Sequence, residues 1–280
     1  MYYPKVRTSI KLLVYGVLII WSIYCILPLY WVFTSAFKPV AETRSFPPTL
    51  IPKHPTLLNF VKVATGSFGL QPFINSIIIS LGCAFVAIVI SALAGYGFSR
   101  FRFRGRRPLL LSLLIVNFIP LLAILIPIYR TFVLYGLYDT YLALIIMDGI
   151  RIAPFCTWLM LGFYESIPYT LEEAAMLDGC SRLRALWHVV FPLVSPGIAA
   201  VAIFAYLEGW NDFTLAVILT SSERIRPYTV QLFKLIGERS FVQWNELSAA
   251  SFMAVVPVLI AFGIFQKHFV SGLTRGAIKE

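Results

Sequence analysis

"YTLEEAAMLDGCSRLRALWHVVFPLVSPGI", residues 169–198, is polar where its surroundings are not. It carries Glu172, Glu173, Asp178, Arg182, Arg184 and His188 between two long apolar runs, and Pro168, Pro192 and Pro196 bound it or cut it. Thr170-x-x-Glu173 has the spacing of a capping box, in which the Thr170 hydroxyl accepts from the Glu173 N–H and the Glu173 carboxylate reaches back. Glu172 and Glu173 also suit the positive end of a helix dipole. Ala174, Ala175, Met176 and Leu177 propagate a helix well, and Gly179 supplies a left-handed stop. The stretch therefore predicts a short, two-faced helix with Ala174, Ala175 and Leu177 open to a partner. A second helix is expected from about Ser181 to Pro192. A solvated loop needs no such punctuation; a docking element does.

The surroundings are built for lipid. Of 280 residues, 59% are hydrophobic and 13% charged, against about 25% charged in soluble domains. A helix needs about 20 apolar residues to cross the bilayer core. Six such segments are legible, at roughly 11–37, 72–99, 108–130, 138–164, 193–220 and 249–270. Alternation with period two is absent, which excludes a membrane β-barrel. The first run follows Lys5, Arg7 and Lys11, is long for a signal-peptide core and lacks a small-x-small site, so it reads as an uncleaved signal anchor. The expected fold class is an all-α membrane protein with six transmembrane helices, a single transmembrane domain over residues 1–280 with no linker and no repeat. Residues 38–71 form a proline-rich outer loop, and "YTVQLFKLIGERSFVQW" within a second outer segment, 221–248, suggests an interfacial helix. Tyr30, Trp31 and Trp244 suit the membrane boundary.

The net charge of +10 is placed for topology, not for nucleic acid. Thirteen of the 23 basic residues fall on one face of a six-span arrangement: Lys5, Arg7 and Lys11; Arg100, Arg102, Arg104, Arg106 and Arg107; Arg182 and Arg184; Lys267, Arg275 and Lys279. The positive-inside rule makes that face, with both termini, cytoplasmic. The cysteines (Cys25, Cys83, Cys156, Cys180) form no C-x-x-C and read as small apolar fillers.

Glu173-Ala174-Ala175, Gly179 after three further residues, and Val189-x-Phe191-Pro192 after nine more are similar to the EAA loop of ABC importer permeases. Val189 stands for the usual Ile, Phe191 for Leu, and Cys180 where Ala is frequent. Gly209-Trp210-Asn211-Asp212-Phe213 and Gly272-Leu273-Thr274-Arg275-Gly276-Ala277 resemble the MalG-type permeases of carbohydrate uptake, and the resemblance runs over essentially the whole chain. It implies a MetI-like permease fold in the inner membrane of a prokaryote, with an EAA loop at about 168–192. It implies a coupling helix seated in a cytoplasmic ATPase dimer, a second homologous permease and an extracytoplasmic solute-binding protein. The coupling residues are then Glu172, Glu173, Ala174, Ala175, Leu177, Asp178 and Gly179. Residues 221–248 would meet the binding protein, and the tail "GLTRGAIKE" the ATPase.

No G-x-x-x-x-G-K-[ST] is present, so ATP and Mg are expected on the partner ATPase and no cofactor on this chain. His54, His188 and His268 have no metal-ligand spacing, and no nucleophile–base set stands out, so this is not expected to be an enzyme. Charged side chains within spans are costly and mark candidate sites. Asp148 and Arg151 share a helix face; Glu208 and Asp212 flank Trp210 and Asn211. Gly149 and Pro154 are expected to break the fourth helix. Carboxylates, amides and an aromatic ring are what a sugar needs, so Asp148, Arg151, Glu208, Trp210, Asn211 and Asp212 are the candidate substrate path. Asn75 and Asn117 are secondary candidates. The competing reading is structural: Arg151 paired with Asp148 or Glu208, and Trp210 in a packing motif. The function implied is translocation of a sugar, a di- or oligosaccharide, as the permease of an ATP-driven importer. A polyol or glycerol-phosphate-like solute is the alternative, kept open by Arg151. A secondary transporter would call for an inverted repeat.

Overall fold

The computed structural model describes residues 8–66, 68–237 and 242–277. Lys5, Arg7, Ser240 and Lys279 lie outside the described residues. All regular structure in the described residues is helical. The contacts divide the chain into two compact units, Met1–Leu70 with Lys234–Val255 and Gln71–Phe233 with Val256–Glu280.

The first unit contains α1 (Thr8–Ala36), α2 (Val40–Thr43) and α3 (Leu58–Thr65). Along α1 the apolar side chains point away from protein, Leu12, Trp21 and Tyr24 among them, as a helix surrounded by lipid or by another subunit requires. Buried Asn59 organises the turn after α1: its amide donates to the carbonyls of Ala36 (2.7 Å) and Lys38 (2.8 Å), and its oxygen accepts from Asn245 (2.7 Å). Phe33, Phe37, Phe60 and Phe252 form an aromatic cluster, with Phe252 edge-on to Phe33 and Phe60.

The second unit is built on three long helices: α4 (Gln71–Arg100), α7 (Tyr141–Glu165) and α10 (Phe191–Asn211). Cys83, Ala87, Cys156, Met160, Val190, Val194 and Val201 fill their shared core. Small residues let membrane helices approach closely. Gly149 is one: a Cβ there would sit 2.6 Å from Val86 Cγ1. Gly149 and Pro154 were expected to interrupt this helix. Instead α7 is continuous, with Thr140 capping it by accepting from Ala143 N–H, and Gly149 serves packing.

Two expected spans are reshaped. The third, read at 108–130, is α5 (Arg106–Val116) and α6 (Leu121–Leu134), bent by 92° at the break between them. The 11 residues of α5 extend only about 16 Å, too short to cross the core alone. Pro120 lacks the N–H that would continue the ladder, and the Asn117 amide turns back to the Leu113 carbonyl (3.0 Å). The fifth begins earlier and ends earlier than 193–220. Its helical rod is 30 residues, Arg182–Asn211. The rod consists of α9 (Arg182–Ala185) after α8 (Thr170–Leu177), then a π-helical turn at Leu186–Val190, then α10. Pro192 does not end the second helix, as its sequence position suggested. The π turn, with Phe191 N–H reaching the Leu186 carbonyl, widens the ladder ahead of the proline and absorbs its missing donor. Beyond Asn211 the chain turns out of the helix at Asp212 into α11 (Thr214–Leu219), then α12 (Tyr228–Gly237) and α13 (Trp244–Ala277). The mixed segment at 221–248 is therefore α12 and the start of α13, with residues 238–241 outside the described residues.

Candidate functional site

The helix expected from the opening stretch is α8. Its start differs from the sequence reading. Thr170 is its first residue, the preceding Tyr169 is already helical, and no side chain caps it. The first donors are met by main chain: Leu171 N–H by the Pro168 carbonyl, Glu172 and Glu173 N–H by the Tyr169 carbonyl. Tyr169 is already in helical conformation and its carbonyl takes two of the first donors, which leaves Thr170 no cap position to fill. The end is as the glycine dictates. Gly179 has φ +87°, its N–H meets the Met176 carbonyl (3.1 Å), and Cys180 N–H meets that of Ala175 (3.0 Å), a Schellman closure. Ser181 then caps α9, accepting from Arg184 N–H.

The two adjacent glutamates of α8 have opposite fates. Glu173, Ala174, Leu177, Asp178 and Gly179 are exposed and Ala175 half-buried, Leu177 reaching 88% exposure. Glu172, expected among the residues facing the ATPase, is only 1% exposed and faces inward. Its carboxylate accepts from Arg100 Nε and from the Tyr96 hydroxyl (3.0 Å). Arg100 also donates to the Ile167 carbonyl (3.2 Å) and to Ser99 Oγ (3.1 Å) and lies over the Tyr169 ring. The Tyr164 hydroxyl donates to the Ala92 carbonyl (3.0 Å), fixing α7 to α4 just behind. Arg182, over the Phe101 ring, donates to the Tyr169 hydroxyl (3.3 Å). Thus α8 is fastened to the C-terminal end of α4 by a buried, fully hydrogen-bonded charge pair. Sequence reasoning missed Tyr96 and Arg100. Arg100 was legible only as a topology signal, because nothing local links it to a partner 72 positions away.

The six candidate path residues are brought together only in part. Arg151 donates to Asp148 Oδ1 (3.3 and 3.4 Å) and to Glu208 Oε2 (3.4 Å), joining α7 to α10. Asp148 is 1% exposed while Arg151 and Glu208 are 31% and 41% exposed at the side chain. Asp148 Oδ2 has no hydrogen-bond partner among the described residues. The arrangement is a bridge with one carboxylate inside and one at the surface. Trp210 is buried, edge-on to Phe73 (5.5 Å between ring centres) and near-parallel to Tyr206 and Tyr228. Its ring faces are occupied by protein. Asn211 is exposed and donates to the Leu207 carbonyl (2.8 Å). Asp212 leaves the helix in extended conformation. Its carboxylate accepts from Ala216 N–H (2.9 Å) and its carbonyl from the Thr229 hydroxyl (2.8 Å), so it starts α11 and ties α12 to it. Glu208 and Asp212 do not share a helix face, because the helix ends between them. Asn75 is buried and donates to the Arg224 and Arg226 carbonyls, holding the segment before α12.

The family described as "Binding-protein-dependent transport system inner membrane component" matches residues 87–275. The chain is 36% identical over 258 residues to the sulfoquinovosyl glycerol transport system permease protein SmoH of Agrobacterium fabrum, covering 90% of this chain and 88% of that protein. It is 30% identical over 257 residues to the trehalose transport system permease protein SugB of Mycobacterium tuberculosis, covering 91% and 93%. It is 32% identical over 279 residues to the galactooligosaccharides transport system permease protein GanQ of Bacillus subtilis, covering 98% of each. In fold it matches a chain of a bacterial ABC transporter that imports the acidic polysaccharide alginate, with TM-score 0.81 and 22% identity over 96% of this chain and 99% of that one.

Proposed function

This chain belongs to the family of binding-protein-dependent transport system inner membrane components, and from that membership we propose that it is the permease of an ABC importer that passes a saccharide delivered by an extracytoplasmic binding protein. The relatives named for trehalose, galactooligosaccharides and a sulfoquinovosyl glycoside support the cargo class. ATP and Mg are handled by a separate cytoplasmic ATPase dimer, and a second related permease completes the pathway. Both termini, α8 and the arginine-rich loop after α4 lie on the cytoplasmic side.

The observation that carries the reading is the division of labour on α8. Leu177, Glu173 and Ala174 face outward while Glu172 is locked to Arg100. Leu177, exposed on a helix held by this anchor, is the apolar contact that α8 offers for docking. Because the anchor is a charge pair between α8 and α4, a push on α8 is delivered to α4, and through the packed core to α7 and α10. Rigid-body rearrangement of such packed helices is how alternating access proceeds. Arg151 is occupied by two carboxylates, which favours a hydroxyl-bearing cargo over a phosphorylated one. Segment 221–248 offers its surface to the binding protein, and the stretch GLTRGAIKE, residues 272–280, meets the ATPase.

The test is a purified complex of this chain with its ATPase, second permease and binding protein. A cysteine at Leu177 should crosslink to the ATPase with a yield that changes between nucleotide-free and ATP-bound states. A binding protein that responds to saccharides and stimulates ATP hydrolysis would complete the case. A crosslink absent in every state, with the complex intact, rejects α8 as the docking element.

A further inference from the structure

The loop after α4 carries more than a topology signal. Residues 100–107 read RFRFRGRR, and two of these arginines are consumed internally: Arg100 by Glu172 and Arg106 by Glu165 (3.0 Å). Among the described residues no carboxylate pairs with Arg102, Arg104 or Arg107, and all three are exposed. Gly105, at φ +90°, turns the chain so that they surround an open cradle of about 580 Å³ together with Phe103. Beside the cradle, and sharing Phe103, lies an apolar groove of about 370 Å³ lined by Ala94, Gly97, Phe98, Phe101 and Phe103. Phe101 and Phe103 are 43% and 45% exposed although each packs on an aromatic neighbour of α4, Tyr96 and Phe98. At Gly97 an added Cβ would meet nothing within 4 Å, so the groove floor is open.

We propose that this paired feature binds one anionic phospholipid, its phosphate held by Arg102, Arg104 and Arg107 and an acyl chain lying in the groove over Gly97. The loop joins the ends of two apolar helices, α4 and α5, which puts it at headgroup depth. Guanidinium forks match phosphate oxygens geometrically. An acidic protein surface or a free phosphate would use the cradle and leave the apolar groove empty; a lipid uses both. Each basic residue near an anionic leaflet strengthens attachment roughly fivefold, so three contribute about a hundredfold.

The experiment is native mass spectrometry of the whole transporter complex in mild detergent, titrated with phosphatidylglycerol and with phosphatidylcholine. The wild type should retain phosphatidylglycerol at concentrations where phosphatidylcholine is lost. R102Q/R104Q/R107Q should weaken that retention by up to about a hundredfold, and R102K/R104K/R107K, which keeps the charge and the topology signal, by much less. Gly97→Leu fills the groove without touching any charge and should lower retention several-fold. If the glutamine variant fails to insert, the lysine and Gly97→Leu variants decide. Equal retention of both lipids, retention unchanged by Gly97→Leu, or full competition by glycerol 3-phosphate overturns the proposal. So does a glutamine variant that sheds the ATPase while keeping phosphatidylglycerol.

Discussion

The carboxylate of Glu172 and the guanidinium of Arg100 meet in a buried pair that joins the α8 helix to the end of α4 across 72 residues of sequence. Its neighbour Glu173, one position on, is exposed. A 100° step around the helix separates a structural anchor from a surface contact.

Breaking the anchor from one side should be worse than removing it whole. Glu172→Gln or Arg100→Gln strands a charge at a site where the side chains are 1% and 6% exposed, at a cost of about 3–5 kcal/mol. The double variant should recover part of that loss. Melting of the purified permease checks the stability order, and saccharide-stimulated ATPase activity reads the coupling. Single and double variants that melt alike would mean the pair is not an energetic unit.

Gly179 tests the helix end. Nothing lies within 4 Å of a Cβ built there, so a substitution is opposed by its positive φ alone, about 1–2 kcal/mol for a residue with a Cβ. Gly179→Val should lower transport and coupled ATP hydrolysis while the chain still inserts. Gly179→Asn, which tolerates the left-handed region, should be milder. Equal activity of both variants and wild type would remove the helix end from the coupling path.

The bridge between α7 and α10 is expected to act as a stability element. Arg151→Ala leaves Asp148 buried without a counter-charge, which should cost about 3 kcal/mol, the low end for a buried pair because Arg151 is 31% exposed. Adding Asp148→Ala should restore membrane yield. Glu208→Gln, at a side chain 41% exposed, should cost under about 1 kcal/mol. Uptake measured beside yield separates a cargo contact from a fold contact: uptake lost at full yield in Glu208→Gln places the cargo at the bridge.

Acid should loosen the segment before α12 through Asp139. Partial burial raises this carboxyl, but backbone N–H groups of Ser221 (2.8 Å) and Ser222 (3.0 Å) outweigh that, and it is held below its ordinary value. A depressed carboxylate contributes stability that is complete above its unfolded value, about 3.9, and lost as pH falls through the lower folded one. Asp139→Asn keeps the positive φ of this position and removes the charge. The wild type should melt higher than the variant at neutral pH, and the gap should close below about pH 4. A gap independent of pH would mean that the charge is not what stabilises the turn.

Membrane class, five long apolar helices and the punctuated α8 were all written locally. Apolar run length, the Ala-rich stretch before Gly179 and the arginine clusters act within a few residues of themselves, so their consequences are readable from the chain. The tertiary structure decided the rest. Thr170 lost its capping role to the preceding turn, and Pro192 was carried inside a helix by a π turn five residues long. Residues 108–130 bent because Asn117 and Pro120 leave the ladder, and Asp212 left its helix to hold α11. Which acidic residue faces inward was settled by Arg100 and Tyr96 on another helix, and which surrounds Arg151 by α7 and α10 together. A buried charge goes where its hydrogen-bond partners are. Partners 57 to 76 positions away leave no periodic trace in the sequence.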